Sequence, residues 1–339
     1  MAQRENLFSD LNAYNPVPSP DGKSVAFVEL GWGQEGDRGF GRSSLNTTIY
    51  FATKDGRRST KTNVRAFLGE WATDSSAAVC FRDYKFGLVS EKGWQLQENM
   101  PPRPPPVLGA YAPAERVAYV DSKGFVWLQR TKSKTLIETP NGPMAQIDAG
   151  LPTSDLIVVS PNARYLAIAS TVAGEGFHLW VYDTQNKIST DFGETTIHPD
   201  RNWDYLKPSW NPWFRDSSRL TYISAGALYT STPDGREKHK LMEVKNAGLP
   251  VPSIDGTRIA YVSFVPRPMK LRPDLQFWGG TTVWVLDIAN GKTAAVTQPS
   301  PDTTLDLRWL DDSSLLLDRI TEEPFYKHDR IWTVDAKAK

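Results

Sequence analysis

Short apolar runs with alternating character recur along the whole chain, and a tight polar turn stands before each one. Ser19-Pro20-Asp21-Gly22-Lys23 leads into the run 25–28, Asp74-Ser75 into 78–81, and Ala114-Glu115 into 117–120. Ser160-Pro161-Asn162 leads into 165–168, Asp216-Ser217 into 220–223, Asp255-Gly256 into 259–262, and Asp312-Ser313 into 315–317. These seven copies stand about 48 residues apart, and one four-stranded unit of a repeat protein needs roughly 40–50.

A second pattern runs through the same copies: a strand bearing an aromatic residue, then another polar turn. Tyr50 is followed by Lys54-Asp55-Gly56, Trp127 by Lys132-Ser133-Lys134, and Trp180 by Gln185-Asn186-Lys187. Tyr229 is followed by Pro233-Asp234-Gly235 and Trp284 by Asn290-Gly291-Lys292, and Trp332 opens the last copy. In the second copy Gly87-Leu88-Val89 replaces the aromatic. Asp-Gly and Asn-Gly supply the positive φ angles of tight hairpins. The flanking β-branched and aromatic residues suit pleated, half-buried strands. Helical periodicity is absent, except that residues 7–13 have room for a short helix.

One four-stranded sheet cannot bury both of its faces. Stacking sheets around an axis does so, with large aromatics filling the space that widens outward. The run Ser-Pro-Asp-Gly-Lys-Ser-Val-Ala-Phe-Val at 19–28 and the run Val-Trp-Val-Leu-Asp-Ile-Ala-Asn-Gly-Lys at 283–292 resemble the repeat of TolB-type, WD40-like β-propellers. The propeller domains of prolyl-oligopeptidase-type peptidases are similar. The resemblance covers nearly the whole chain. It implies a β-propeller of four-stranded antiparallel blades as one all-β domain over 1–339, and the seven copies make it seven-bladed, with six blades as the alternative. The blades are expected at about 15–66, 67–100, 107–140, 150–192, 205–246, 249–298 and 303–339. The last copy stops after its third strand, so segment 3–10, centred on residues 5–9, is expected to supply the missing outer strand and close the ring.

Composition narrows the function. The 39 basic and 39 acidic residues cancel, and no basic stripe stands out, so a nucleic-acid partner has little electrostatic support. Cys80 is the single cysteine, which excludes an intrachain disulfide and a cysteine metal site. No apolar run approaches the ~18 residues of a membrane span. The first residues lack the apolar core of a signal peptide. The chain as given therefore reads as a cytoplasmic monomer, or as periplasmic or secreted if a leader has been removed. Asn46-Thr47-Thr48 is a glycosylation triplet without a secretory signal beside it.

In a propeller, the turns between strands one and two and between three and four share one face, and the remaining connections share the other. The first set is short throughout. The second set contains 31–46, 101–106, 194–207, 265–280 and 321–329. Binding residues concentrate on loops held by a rigid scaffold, and Trp, Tyr and Arg dominate binding hot spots. The candidate ligand-binding residues are Trp32, Asp37, Arg38, Arg42, Arg201, Trp203, Tyr205, Arg272, Trp278 and Phe325. Taken singly, each is as well explained by a loop packing onto its own scaffold.

Catalytic signatures are sparse. The four histidines, His178, His198, His239 and His328, show no metalloprotease spacing. His178 and His239 read as structural. No Gly-x-Ser-x-Gly elbow, phosphate loop or calcium loop occurs. No cofactor is called for, although His198 and His328 with Asp200, Asp204 or Glu322 would suit a divalent metal. Two functions follow. One is a module that binds a protein segment, a glycan or a small molecule at the long-loop face. The other is a propeller hydrolase, lyase or isomerase acting on a small polar substrate through His198, Asp200, Glu322, Tyr326 or His328.

Overall fold

Three of the repeated turns fold in the same way. In the first sheet the Ser19 hydroxyl donates to Asp21 Oδ1 at 2.7 Å, the Lys23 amide donates to the same oxygen, and the Ser24 amide donates to Ser19 Oγ. Ser160, Asn162 and Tyr165 repeat this arrangement, as do Ser253, Asp255 and Arg258. Each of these turns is closed by bonds from its own side chains. Gly22 and Gly256 sit at φ of +68° and +71°, where a side chain would be strained.

The computed structural model describes residues 5–9, 11, 13–30, 47–57, 59–64, 67–71, 75–82, 85–96, 116–121, 124–130, 135–139, 142–147, 154–162, 164–172, 176–197, 210–268, 276–277, 280–322 and 327–337. Among these residues there is no helix, and the strands form antiparallel sheets. The first sheet is Ala13–Pro18, Ser24–Leu30, Thr47–Thr53 and Ser59–Lys61. The second is Phe67–Trp71, Ala78–Arg82, Lys85–Ser90 and Gly93–Leu96. The third is Arg116–Asp121, Gly124–Arg130, Thr135–Thr139 and Gly142–Ile147. The fourth is Ser154–Val159, Tyr165–Val172, Gly176–Asp183 and Ile188–Thr195. The fifth has Leu220–Ser224, Ala227–Ser231 and Lys238–Glu243, with a single bridge from Trp213 to Leu220 on its inner side. The sixth is Ala247–Pro252, Arg258–Ser263, Thr282–Asp287 and Thr293–Ala295. The seventh joins Thr303–Asp311, Ser314–Glu322 and Lys327–Asp335 to the first strand of the chain, Glu5–Ser9.

The described residues within 7–13 are therefore not helical. Leu7 to Ser9 pair with Trp332 and Ile331, and Ala13 begins an inner strand. A ladder to a strand more than 300 residues away outweighs a weak local preference. Pro16 and Pro18 stand just beyond the segment and disfavour continuing a helix.

The sheets meet through their inner strands. Three seams carry the same pair of hydrogen bonds. Trp71 donates its indole N–H to the Val17 carbonyl at 2.7 Å, Trp213 to Val158 at 3.0 Å, and Trp309 to Val251 at 3.1 Å. Beside each, a turn amide of the preceding sheet is captured: Asp21 by Ser75 Oγ, Asn162 by Ser217 Oγ, and Asp255 by Asp312 Oδ1. In the last case the acceptor lies one residue earlier in its turn. A register shift between Trp309 and Asp311 accounts for that offset. The largest apolar cluster runs through the fourth to seventh sheets and includes all of Trp210, Trp213 and Trp309.

Candidate functional site

Within each antiparallel sheet, the tight inner turn and the connection between the second and third strands lie at opposite ends. The long connections 31–46, 264–281 and 323–326 are of the latter kind. In the sixth sheet this connection contains a two-stranded arm, Arg267–Pro268 against Gln276–Phe277, with Arg267 opposite Phe277. In the seventh sheet Glu322 ends one strand and His328 lies near the start of the next, one step apart in the ladder. The structure thus places Glu322 and His328 at the same sheet end. Trp32, Asp37, Arg38, Arg42, His198, Asp200, Arg201, Trp203, Asp204, Tyr205, Arg272, Trp278, Phe325 and Tyr326 lie outside the described residues.

What the structure does gather is a set of buried charges on the seventh sheet. Asp306 and Asp318 face each other across adjacent strands and are both 2% exposed. Arg308, two residues along from Asp306, brings its Nε to 3.4 Å from Asp306 Oδ1. The Asn15 amide of the first sheet donates to Asp318 Oδ2 at 3.3 Å. Asn15 sits at φ +52°, in a bulge between Tyr14 and Val17, and its side-chain amide donates to the Leu68 carbonyl of the second sheet. A bulged, left-handed asparagine thus ties three sheets together at the edge of the charged cluster.

A second ionic contact fixes the start of the chain. Glu5 Oε2 lies 2.6 Å from Arg319 Nη1, and Glu5 Oε1 accepts the Gln298 amide of the sixth sheet. Arg319 is 3% exposed and lies over the Trp332 ring. Nearby, the Thr304 hydroxyl donates to Thr281 Oγ1, which donates to the Asp302 carbonyl.

This cluster is hard to read from the strand pattern. Leu305, Leu307 and Trp309 alternate with Asp306 and Arg308, which reads as a strand with one solvated face. Stacking against the first sheet buries that second face as well. Adjacent Asp311 and Asp312 serve separate bonds. Asp311 accepts from Ser313, while Asp312 accepts the Asp255 amide.

On the outer half of the fourth sheet, His178 Nε2 lies 2.5 Å from Asp191 Oδ1, and its ring stacks on Trp180 at 4.1 Å. Burial alone would raise the Asp191 carboxyl above its usual range. The Gly193 amide and His178 outweigh that and hold it below. Both residues are thus anchored by local partners, in keeping with a structural role for His178. Among the described residues no three His, Cys, Asp or Glu side chains converge to hold a metal ion.

Comparison with solved structures defines the class. A manganese-bound oligogalacturonate lyase matches at a TM-score of 0.58 and 11% identity, covering 98% of this chain and 92% of that one. A virginiamycin B lyase from Staphylococcus aureus matches at 0.58 and 12%, covering 98% of each chain. The β-propeller domain of Cps50 (Swd1) from Myceliophteria thermophila matches at 0.57 and 12%, covering 98% of this chain and all of that one. The chain also matches the tricorn protease at 0.37 and 12%, spanning only 29% of it. At such identities the likeness concerns the fold, and the fold is a β-propeller, as the TolB-type repeat implied. No family model matches the chain, and no curated protein matches it by sequence. No helix among the described residues is long and apolar enough to cross a membrane.

Proposed function

We propose that the chain is a closed seven-bladed propeller, with Glu5–Ser9 as the outer strand of the last blade, and that it works as a monomeric binding module. Its long-connection face takes up a protein segment, a glycan or a small ligand. The observation that carries this reading is the unequal construction of the two sheet ends. At one end the described turns are short and hydrogen-bonded to their neighbours, as at Asp21 with Ser75 and Asn162 with Ser217. At the other end the connections differ from sheet to sheet, from the short 225–226 of the fifth sheet to the long 31–46 of the first and 264–281 of the sixth, which includes the Arg267–Phe277 arm. A rigid base with a variable opposite face is the usual arrangement for recognition.

Trp32, Asp37, Arg38, Arg42, Arg201, Trp203, Tyr205, Arg272, Trp278 and Phe325 are the residues assigned to that face. The test is a thermal-shift screen with metals, oligosaccharides, nucleotides, amino acids and peptides, followed by Trp203→Ala and Trp278→Ala. A ligand at 100 times its Kd adds about 2.7 kcal/mol of stability. Both variants should keep the wild-type melting temperature and lose the ligand response. Retained binding in two folded variants would reject the assignment.

A second reading, a propeller enzyme, draws on one specific feature. Asp306, Arg308 and Asp318 form a buried ionic group, and buried titratable groups concentrate at functional sites. Here His198, Asp200, Glu322, Tyr326 and His328 are the acid/base candidates. Stabilisation by manganese or another divalent ion, lost in Glu322→Gln and His328→Gln, would favour it.

A further inference from the structure

The inner turns are of two types. Val-x-Ser-x-Asp or Asn occurs at Val17, Val158 and Val251, and Trp-x-x-Asp-Ser at Trp71, Trp213 and Trp309. Every seam from the first type to the second has the same two bonds, an indole N–H to the valine carbonyl and a captured turn amide. The seam from the second type to the first also recurs. The residue after the tryptophan lies against the turn glycine of the following sheet. Phe214 approaches Gly256, and the Leu310 carbonyl approaches Gly22, at 3.4 and 3.3 Å from where a Cβ would stand.

The third repeat carries neither signature: before its strand Arg116–Asp121 the sequence reads Tyr111-Ala112-Pro113-Ala114-Glu115 where Trp-x-x-Asp-Ser stands elsewhere. Spacing points the same way. Val158 to Val251 spans 93 residues and Trp213 to Trp309 spans 96, whereas Val17 to Val158 spans 141 and Trp71 to Trp213 spans 142. The excess is one sheet's length, and it falls where the third sheet lies.

We infer that the building unit of this protein is a pair of sheets, that three pairs are self-complementary around the ring, and that the third sheet is an addition between the first pair and the second. This rests on the closed-ring reading. It follows that the third sheet is dispensable for closure. The inner strand of the second sheet ends in the surface that the fourth sheet's turn accepts from its own type of partner elsewhere.

The experiment has two arms. In the full-length chain, Ser75→Ala and Ser217→Ala should speed hydrogen exchange of the Asp21 and Asn162 amides, respectively, by about fivefold. Each substitution should leave the other amide unchanged. In the second arm, deletion of residues 100–150 should give a monomer with a single cooperative melt and slow exchange still present at Asp21, Asn162 and Asp255. A matched deletion of 198–246 removes the fifth sheet and places two turns of the first type together, and it should abolish cooperative folding. Failure of the first deletion to fold, or equal folding of both, would overturn the inference. So would unchanged exchange in the serine variants. Exchange of the Asn6–Leu7 amides in the intact chain reports ring closure separately, so a failure of the ring reading is told apart from a failure of the pairing.

Discussion

The seam between the fourth and fifth sheets and the seam between the seventh and first are built from opposite materials. The former is aromatic and neutral. Trp213 stacks on Tyr165 with ring centroids 6.0 Å apart, donates to Val158, and sits beside the Asn162–Ser217 bond. The latter contains Asp306, Arg308 and Asp318, with Asn15 reaching across from the first sheet. Burying apolar area and satisfying neutral donors stabilises a seam directly. A buried ion pair returns little net stability, because desolvation offsets the attraction, yet removing one partner is costly. The charged seam is also where the two ends of the chain meet. Sheets of the Val17 type are alike, and docking the first sheet anywhere else would leave Asp318 without Asn15. The expectation is that charge at that seam specifies the correct partner, while aromatic packing at the other supplies strength.

Substitutions at the two seams test this division. The largest effect is expected from Trp213→Ala, about 3–5 kcal/mol from lost burial and the cavity it leaves, whereas Trp213→Phe should cost about 1 kcal/mol for the lost N–H bond. Urea melts would show both, and equal losses would mean that packing contributes little. Next comes Arg308→Met. It leaves a buried carboxylate and should cost about 3 kcal/mol. Joint replacement of Asp306, Arg308 and Asp318 by apolar residues should cost less than the single change. If the triple variant is the less stable, the charges contribute strength and the comparison fails.

Smaller still is Ser217→Ala, about 1 kcal/mol, read as a shift in melting temperature with Trp213 intact. The smallest effect depends on pH. The Ser19 hydroxyl, with the Lys23 amide and charge assisting, holds the Asp21 carboxyl below its usual value of 3.8, against the opposing effect of burial. Burial would raise the Asp255 carboxyl, but Ser253 and Thr257 lower it overall. A depressed folded-state pKa contributes stability that is present above the unfolded value of about 3.9 and lost as pH falls through the folded value. Acid should therefore loosen the turns at Asp21 and Asp255 below about pH 4, while the Asn162 turn, with nothing to titrate, holds. Asp21→Asn should flatten the acid limb of a plot of melting temperature against pH. An unchanged acid limb would place the acid sensitivity elsewhere.

Local chemistry made the repeats legible. Ser19-Pro20-Asp21-Gly22 closes on itself through bonds within five residues, so the turn can be read without knowing the rest of the fold. The tryptophan bonds cross 54 to 58 residues, and nothing in the strand pattern around Trp71 or Trp309 says which carbonyl they meet. The signal was nonetheless present as Trp-x-x-Asp-Ser, three times. The candidate site was less legible. Asp306 and Arg308 alternate with leucines as solvated residues do, and only stacking by the first sheet buries Asp306 and most of Arg308.

The sequence by itself determined the all-β class, the positions of the turns and the strands between them, because hairpin formation depends on neighbouring φ angles and side-chain bonds. It also determined which connections are long. The tertiary structure decided between strand and helix for residues 7–9, where the sequence left room for both, since their partner is Lys327–Asp335. It decided that Asp306, Asp318 and Arg319 are buried, and which tryptophan donates to which carbonyl. Those outcomes depend on surfaces that come together only when distant sheets stack.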